Sequence, residues 1–377
     1  MAQGEDEFVA WLASRKRETR RGLRIGIGDD MAMVDPRGAG GSTGKSMLVT
    51  ADMLMDGVDF ETTLHPPELI GRKAMAASLS DCAAMAVRPR FALASVALPR
   101  TWSLRQVQRL CVGLEAMGRA YDCVLIGGDT NSWRHPLVID VIVLAEPWTD
   151  AAPVRRSGVR VGDIICVTGR LGGTMWVGKH RMAETPRRRD ARAARRTKSA
   201  RRPLRECRRV AKLQIPHHLG FEPRVQEARY LAARLGAGLH AMMDLSDGLS
   251  TDAARMALAS NCGIEFDVEA VEGVASSAAK AASAEDRRGV LDHVLNDGED
   301  FELLFAVSPR VLRRLEDTAG RIRPGSRAGF CEAGVPGEQT PWTAIGVAVG
   351  GRGVWLRRRD GKREALPSGG WRHSIGP

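Results

Sequence analysis

Carboxylates stand within two residues of glycine, serine or threonine in five places along this chain: Asp29-Asp30, Asp52, Asp81, Asp129, and Asp244 with Asp247. A lone acid of this kind caps a helix or closes a turn. Asp29-Asp30 follows Ile25-Gly26-Ile27-Gly28, where glycine lets the backbone approach a ligand and two acids suit a hard cation; a turn rich in Gly and Asp is the other reading. Five such stretches brought together repel one another without cations, so their convergence implies several Mg²⁺ ions. Mg²⁺ takes one or two carboxylates and fills its octahedron with water and phosphate oxygens. That is the chemistry of nucleotide phosphoryl transfer, in which catalysis is mostly positioning and charge neutralisation.

The acids are expected at strand ends or helix starts. Apolar patterning predicts a short helix over 5–17, strands over 23–27, 31–34 and 47–52, and a small-residue helix over 67–87 that carries Asp81 deep in its length. A buried Asp81 needs a partner, which Lys73 of the same helix or a metal supplies. Further strands are expected over 91–98, 124–126, 137–145, 164–168 and 303–307, with helices over 103–121, 223–235 and 250–260. Ala39-Gly40-Gly41-Ser42-Thr43-Gly44-Lys45-Ser46 satisfies a relaxed phosphate-loop pattern, but the mechanism of that motif needs a helix after Lys-Ser. The residues that follow read as a strand, so the segment is expected to be a hairpin tip.

Composition narrows the class. A chain of 377 residues is long enough for two domains and a large core, and no apolar run reaches the ~18 residues a membrane helix needs. The acidic start, Met1 to Glu7, lacks a hydrophobic signal region, and seven scattered cysteines never form CxxC. A reduced, cytoplasmic protein is expected. Between Lys179 and Lys212, fifteen Lys and Arg stand against three acids, an excess that alone exceeds the chain's net charge of +11. Basicity is therefore the property of one segment, expected to be a solvated insertion at 180–212 rather than a nucleic-acid module, because no aromatic residues are interleaved.

Taken in order, Gly28-Asp29-Asp30, Thr50-Ala51-Asp52, Leu79-Ser80-Asp81-Cys82-Ala83-Ala84-Met85, Ile126-Gly127-Gly128-Asp129-Thr130, Asp244-Leu245-Ser246-Asp247-Gly248-Leu249 and Gly298-Glu299-Asp300-Phe301-Glu302-Leu303 resemble the motifs of the thiamine-monophosphate kinase family. The resemblance spans about residues 4–371 and extends to the wider superfamily that includes aminoimidazole ribonucleotide synthetase and selenophosphate synthetase. It implies an α/β (α+β) two-domain fold of the aminoimidazole ribonucleotide synthetase-like kind. The N-terminal domain, 1–150, would bind ATP and Mg²⁺ and dimerise through a β-barrel-like interface. A C-terminal α/β domain, 151–350, would be followed by terminal strands and a tail over 351–377. It also implies ATP as co-substrate, thiamine monophosphate as acceptor, and a homodimer. By the same resemblance Asp30, Thr50, Asp52, Asp81, Asp129, Asp244 and Asp247 would hold Mg²⁺, with Asp52, Asp129 and Asp247 central to transfer. Gly128, Asp129, Arg156 and Ser246 would contact ATP, and Asp59, Glu299 and Trp371 would face the acceptor.

Two positions depart from the family pattern. Ala51 replaces a hydroxyl residue, and Asp59 stands where a histidine near the acceptor phosphate is common. A carboxylate there repels phosphate unless a metal or arginine screens it. This keeps open a related ATP-dependent enzyme with another phosphorylated acceptor, and the Arg-rich segment keeps open a nucleic-acid-binding protein.

Overall fold

Helix α1 (Pro67–Ala84) is buried along almost its whole length, with fourteen of its eighteen residues inaccessible. Such a helix belongs at the centre of a fold rather than on its surface. Pro67 opens it, where a missing amide costs nothing. Helix α2 (Leu104–Ala120) crosses it at two glycines: a Cβ on Gly71 would lie 2.1 Å from the Leu110 carbonyl oxygen, and one on Gly113 would lie 1.9 Å from that of Glu68. The computed structural model describes residues 22–35, 46–149, 152–174, 215–313 and 342–371, together with 3–4, 11 and 374–375. The phosphate-loop-like segment up to Lys45, nearly all of the expected first helix and the basic insertion lie outside the described residues.

Beneath α1 lies a six-stranded sheet ordered β2-β3-β4-β7-β5-β6. Its strands are β2 (Leu23–Ile25), β3 (Ala32–Val34), β4 (Met47–Met55), β5 (Val87–Pro99), β6 (Val124–Trp133) and β7 (Val138–Pro147). Leu48, Leu54, Ile139, Val141 and Val143 alternate into the core, while Met53 on the opposite face is 62% exposed. A strand, β4, follows Lys45-Ser46, as the hairpin reading requires and a phosphate loop does not. Two strands outrun expectation. β4 continues past Asp52 and β6 past Asp129, so both acids sit within strands rather than at their ends. In β6 the Gly-Gly pair allows this continuation: a Cβ on Gly128 would lie 1.8 Å from the Ala94 carbonyl oxygen of the paired strand.

The second sheet is seven-stranded, ordered β14-β13-β10-β12-β8-β11-β9. It comprises β8 (Ile164–Thr168), β9 (Leu239–Asp244), β10 (Gly263–Asp267), β11 (Leu303–Val307), β12 (Trp342–Val349), β13 (Gly353–Arg357) and β14 (Arg363–Ala365). Every residue of β11 is buried. Leu303, Phe305 and Val307 enter the core shared with α1, whereas Leu304 and Ala306 enter a second core under helix α3 (Leu249–Ser260). A strand covered on both faces loses its polar alternation, which explains the continuous apolar run. Residues Gln3–Gly4 (β1) and Ser374–Ile375 (β15) pair as a separate two-stranded sheet.

Candidate functional site

Three elements deliver acids to one point. Asp30 comes from the loop after β2, Asp81 from the last turn of α1 and Asp244 from the end of β9, and one ligand atom from each lies within 4.8 Å of the others. Thr50 of β4 donates its hydroxyl to Asp81, and Ser80 Oγ donates to Asp244 at 2.6 Å. Arg156 donates from Nη2 to Asp30 at 2.5 Å and from its backbone amide to Asp29 Oδ1 at 3.1 Å, so Asp29 supports the loop while Asp30 turns inward. Lys73, one of the two partners considered for Asp81, is elsewhere: its ammonium bonds Glu299 and the Asp59 carbonyl.

Crowding these acids has an electrostatic consequence. Burial and the nearby Asp140 push Asp52 up to about 6, and burial with Asp30 pushes Asp244 to about 7. Asp81 is also held well above the usual carboxylate range, through burial and then the charges of Asp52 and Asp244. Arg156 offsets only part of this repulsion, and Asp30 Oδ2 is buried without a hydrogen-bond partner. A hard divalent cation fits this set: oxygen donors only, within 4.8 Å of one another, with one buried carboxylate oxygen left unsatisfied.

Two cavities meet at the cluster. The first, about 630 Å³, is lined by Asp30, Thr50, Asp81, Arg156 and Asp244. The second, about 680 Å³, is lined by Asp59, Lys73, Glu299 and Trp371. Asp52, Ser246 and Asp247 line both. The loop holding Ser246 and Asp247 is stitched to residues 298–301: the Glu299 amide donates to the Ser246 carbonyl at 2.7 Å and that of Phe301 to the Leu245 carbonyl at 2.8 Å. Glu299 and Phe301 both adopt positive φ (63° and 50°), a strained conformation for side-chain-bearing residues that the surrounding bonds enforce. On the other side, the amides of Gly369, Gly370 and Trp371 donate to Ser250 Oγ, Thr251 Oγ1 and the Asp247 carbonyl. That strap holds the Trp371 indole over the second cavity.

Comparison with known proteins follows this geometry. Residues 28–146 match the family described as AIR synthase related protein, N-terminal domain, and residues 160–311 match its C-terminal domain. A thiamine-monophosphate kinase from Rhodopirellula baltica is 32% identical over 98% of this chain and 97% of its own. The chain belongs to the thiamine-monophosphate kinase family. A member from Synechococcus elongatus is 33% identical over 78% of this chain and 80% of its own length. The solved structure of AaThiL complexed with AMPPCP and TMP superposes with a TM-score of 0.67 at 26% identity, covering 98% and 97% of the two chains. The two-domain α/β fold expected from the motifs is the fold observed.

Of the residues singled out by sequence, the structure gathers Asp30, Thr50, Asp52, Asp81, Arg156, Asp244, Ser246 and Asp247 around the first cavity and Asp59, Glu299 and Trp371 around the second. Gly128 and Asp129 are not brought there: both are exposed on β6, the edge of the first sheet, and line neither cavity. Sequence reasoning missed Arg255, which donates from Nη1 to Asp247 and, at 3.1 Å, to buried Asp252. Its spacing on α3, three residues after Asp252, was the available signal. The Asp59 carboxylate is occupied by the Met55 amide at 2.6 Å, closing its own turn.

Proposed function

We propose that this protein transfers the γ-phosphoryl group of ATP to the phosphate of thiamine monophosphate, giving thiamine diphosphate and ADP in the cytoplasm. The observation that carries this reading is the meeting of two cavities at Asp52, Ser246 and Asp247. A donor in one and an acceptor in the other face each other across a single acid-lined junction, as in-line transfer requires. Asp30, Asp81 and Asp244, with Thr50, Asp52 and Asp247, would hold Mg²⁺, which would supply positive charge to screen the phosphate oxygens. Arg156 contacts ATP phosphate, and the Ser246 loop orients it. Trp371 stacks on the acceptor ring, and Glu299 faces the ring's positive charge. No general base is needed, because a phosphate monoester with a second pKa near ~6 is already ionised at neutral pH. Free cysteines at 82, 111, 123, 166 and 262 accord with a reducing compartment.

Asp129 acts, in this reading, from the partner of a homodimer. It lies three strands from Asp52 in the order β4-β7-β5-β6, about 14 Å away at the usual strand spacing, too far to share an ion within one chain. β6 is a ten-residue edge strand, and Met53, Phe91, Val124 and Ile126 are exposed on the first sheet. An open apolar sheet with a long free edge suits closure against a second copy. Asp59 Oδ2 accepts from the Met55 amide, which fixes this carboxylate in its own turn at the wall of the second cavity. Incubating the folded protein with ATP, Mg²⁺ and thiamine monophosphate and separating the products tests the assignment; ADP with thiamine diphosphate is expected, and no thiamine diphosphate overturns it.

A further inference from the structure

Lys73 is the only buried lysine or arginine among the described residues, with 0% of its surface exposed. An ammonium taken out of water costs heavily unless it is paired and hydrogen-bonded. Lys73 meets both conditions at the wall of the second cavity: Nζ donates to the Asp59 carbonyl at 2.5 Å and to Glu299 Oε1. Two imidazoles beside it add no charge. His65 and His218 pack as neighbours with ring centroids 5.2 Å apart, and His65 Nε2 and His218 Nδ1 are buried without hydrogen-bond partners. Burial, and then the Lys73 charge, hold both imidazoles neutral at pH 7. Glu299 is the carboxylate that Lys73 holds by a direct ion pair.

Glu299 needs that pairing. Burial and the nearby charges of Asp59 and Asp247 push its carboxyl up, and Lys73 opposes them. Lys73 and Asp81 lie eight residues apart on α1, about 12 Å along the axis, so one helix presents a cation to the second cavity and an acid to the cluster. The side chain at the acceptor end is therefore set from the same rigid element as the acid at the transfer end.

We propose that Lys73 is a positioning residue for the acceptor: by clamping Glu299 through Oε1 it fixes, at the wall of the second cavity, the carboxylate that the acceptor ring meets. This rests on the acceptor proposed above. Lys73 does not contact the transferring phosphate. It acts through Glu299.

A kinetic cycle over the unmodified chain, Lys73→Met, Glu299→Gln and the double variant tests this, with thiamine monophosphate and ATP varied in turn. Lys73→Met is expected to raise KM for thiamine monophosphate by about tenfold or more while KM for ATP stays within about twofold, the pattern of lost acceptor binding. The double variant is expected to be no worse than the worse single, because both changes remove one interaction. Multiplicative losses in the double variant would make Lys73 an independent ligand and overturn the proposal. So would an unmoved acceptor KM, or equal losses toward ATP. Should Lys73→Met not fold, Lys73→Gln, which keeps a donor for the Asp59 carbonyl and removes the charge, carries the same expectation. The unmodified chain separates the two readings. No thiamine diphosphate from it overturns the acceptor assignment; product formed normally with an unchanged acceptor KM in Lys73→Met overturns the role of Lys73 alone.

Discussion

Ser80 Oγ donates a 2.6 Å hydrogen bond to Asp244, tying α1 of the first half to β9 of the second across 164 residues. The next residue of α1, Asp81, completes the acid cluster, so the site exists only when both halves are docked. In Asp81→Asn the transfer rate is expected to fall by at least about 100-fold, as for loss of a group that organises charge at the reacting centre. The same substitution relieves like-charge burial, so in metal-free buffer the melting temperature is expected to rise by a few degrees, on the order of 1 kcal/mol. ADP release and calorimetry measure the two effects. Near-normal turnover would remove Asp81 from the ligand set.

If Asp129 serves the partner's site, two defective chains should rescue each other. Asp129→Asn and Asp81→Asn are each expected to be inactive alone. After mixing and subunit exchange, a heterodimer holds one site with both defects and one with none, so about a quarter of full activity is expected to return. Absence of recovery in a sample shown to have exchanged would place Asp129 outside the partner's site.

His218 links stability to pH. Burial, with the Lys73 charge, lowers it to about 3 from an ordinary 6.5, so below 6.5 the unfolded chain takes a proton that the folded chain refuses. Its contribution therefore erodes as pH falls through 6.5 and continues to erode toward 3. Between pH 7.5 and 5 this amounts to about 2 kcal/mol. Denaturant unfolding at the two pH values is expected to show that much additional loss in the unmodified chain compared with His218→Leu; equal losses in both would contradict a neutral buried imidazole.

The strap behind Trp371 leaves no room for a side chain. A Cβ on Gly370 would lie 2.0 Å from the Asp247 carbonyl oxygen, and one on Gly369 would lie 2.6 Å from Asn296 Oδ1. Gly370→Ala is expected to displace the indole and raise KM for thiamine monophosphate by about tenfold, with a smaller effect on ATP. Initial-rate kinetics with each substrate varied would reveal it, and an unchanged acceptor KM would show that Trp371 is not held by the strap.

Much of the site was legible in the chain itself because its chemistry is local. Carboxylates flanked by small residues, the unbroken small-residue helix carrying Asp81, and the strand after Lys45-Ser46 are properties of short windows, and they predicted the acids, the helix and the failure of the phosphate-loop pattern. What only the tertiary structure decided is pairing and distance. Lys73 and Asp81 share a helix, yet α1 spans both cavities, so the lysine pairs with Glu299, 226 residues away, rather than with Asp81. Asp129 carries the same Gly-Gly-Asp signal whether it faces its own site or not; the strand order β4-β7-β5-β6 carries it to the sheet edge. Side-chain identity sets which ions and charges a residue accepts, but which of them it meets depends on strand order and helix length, and those follow from packing over the whole chain.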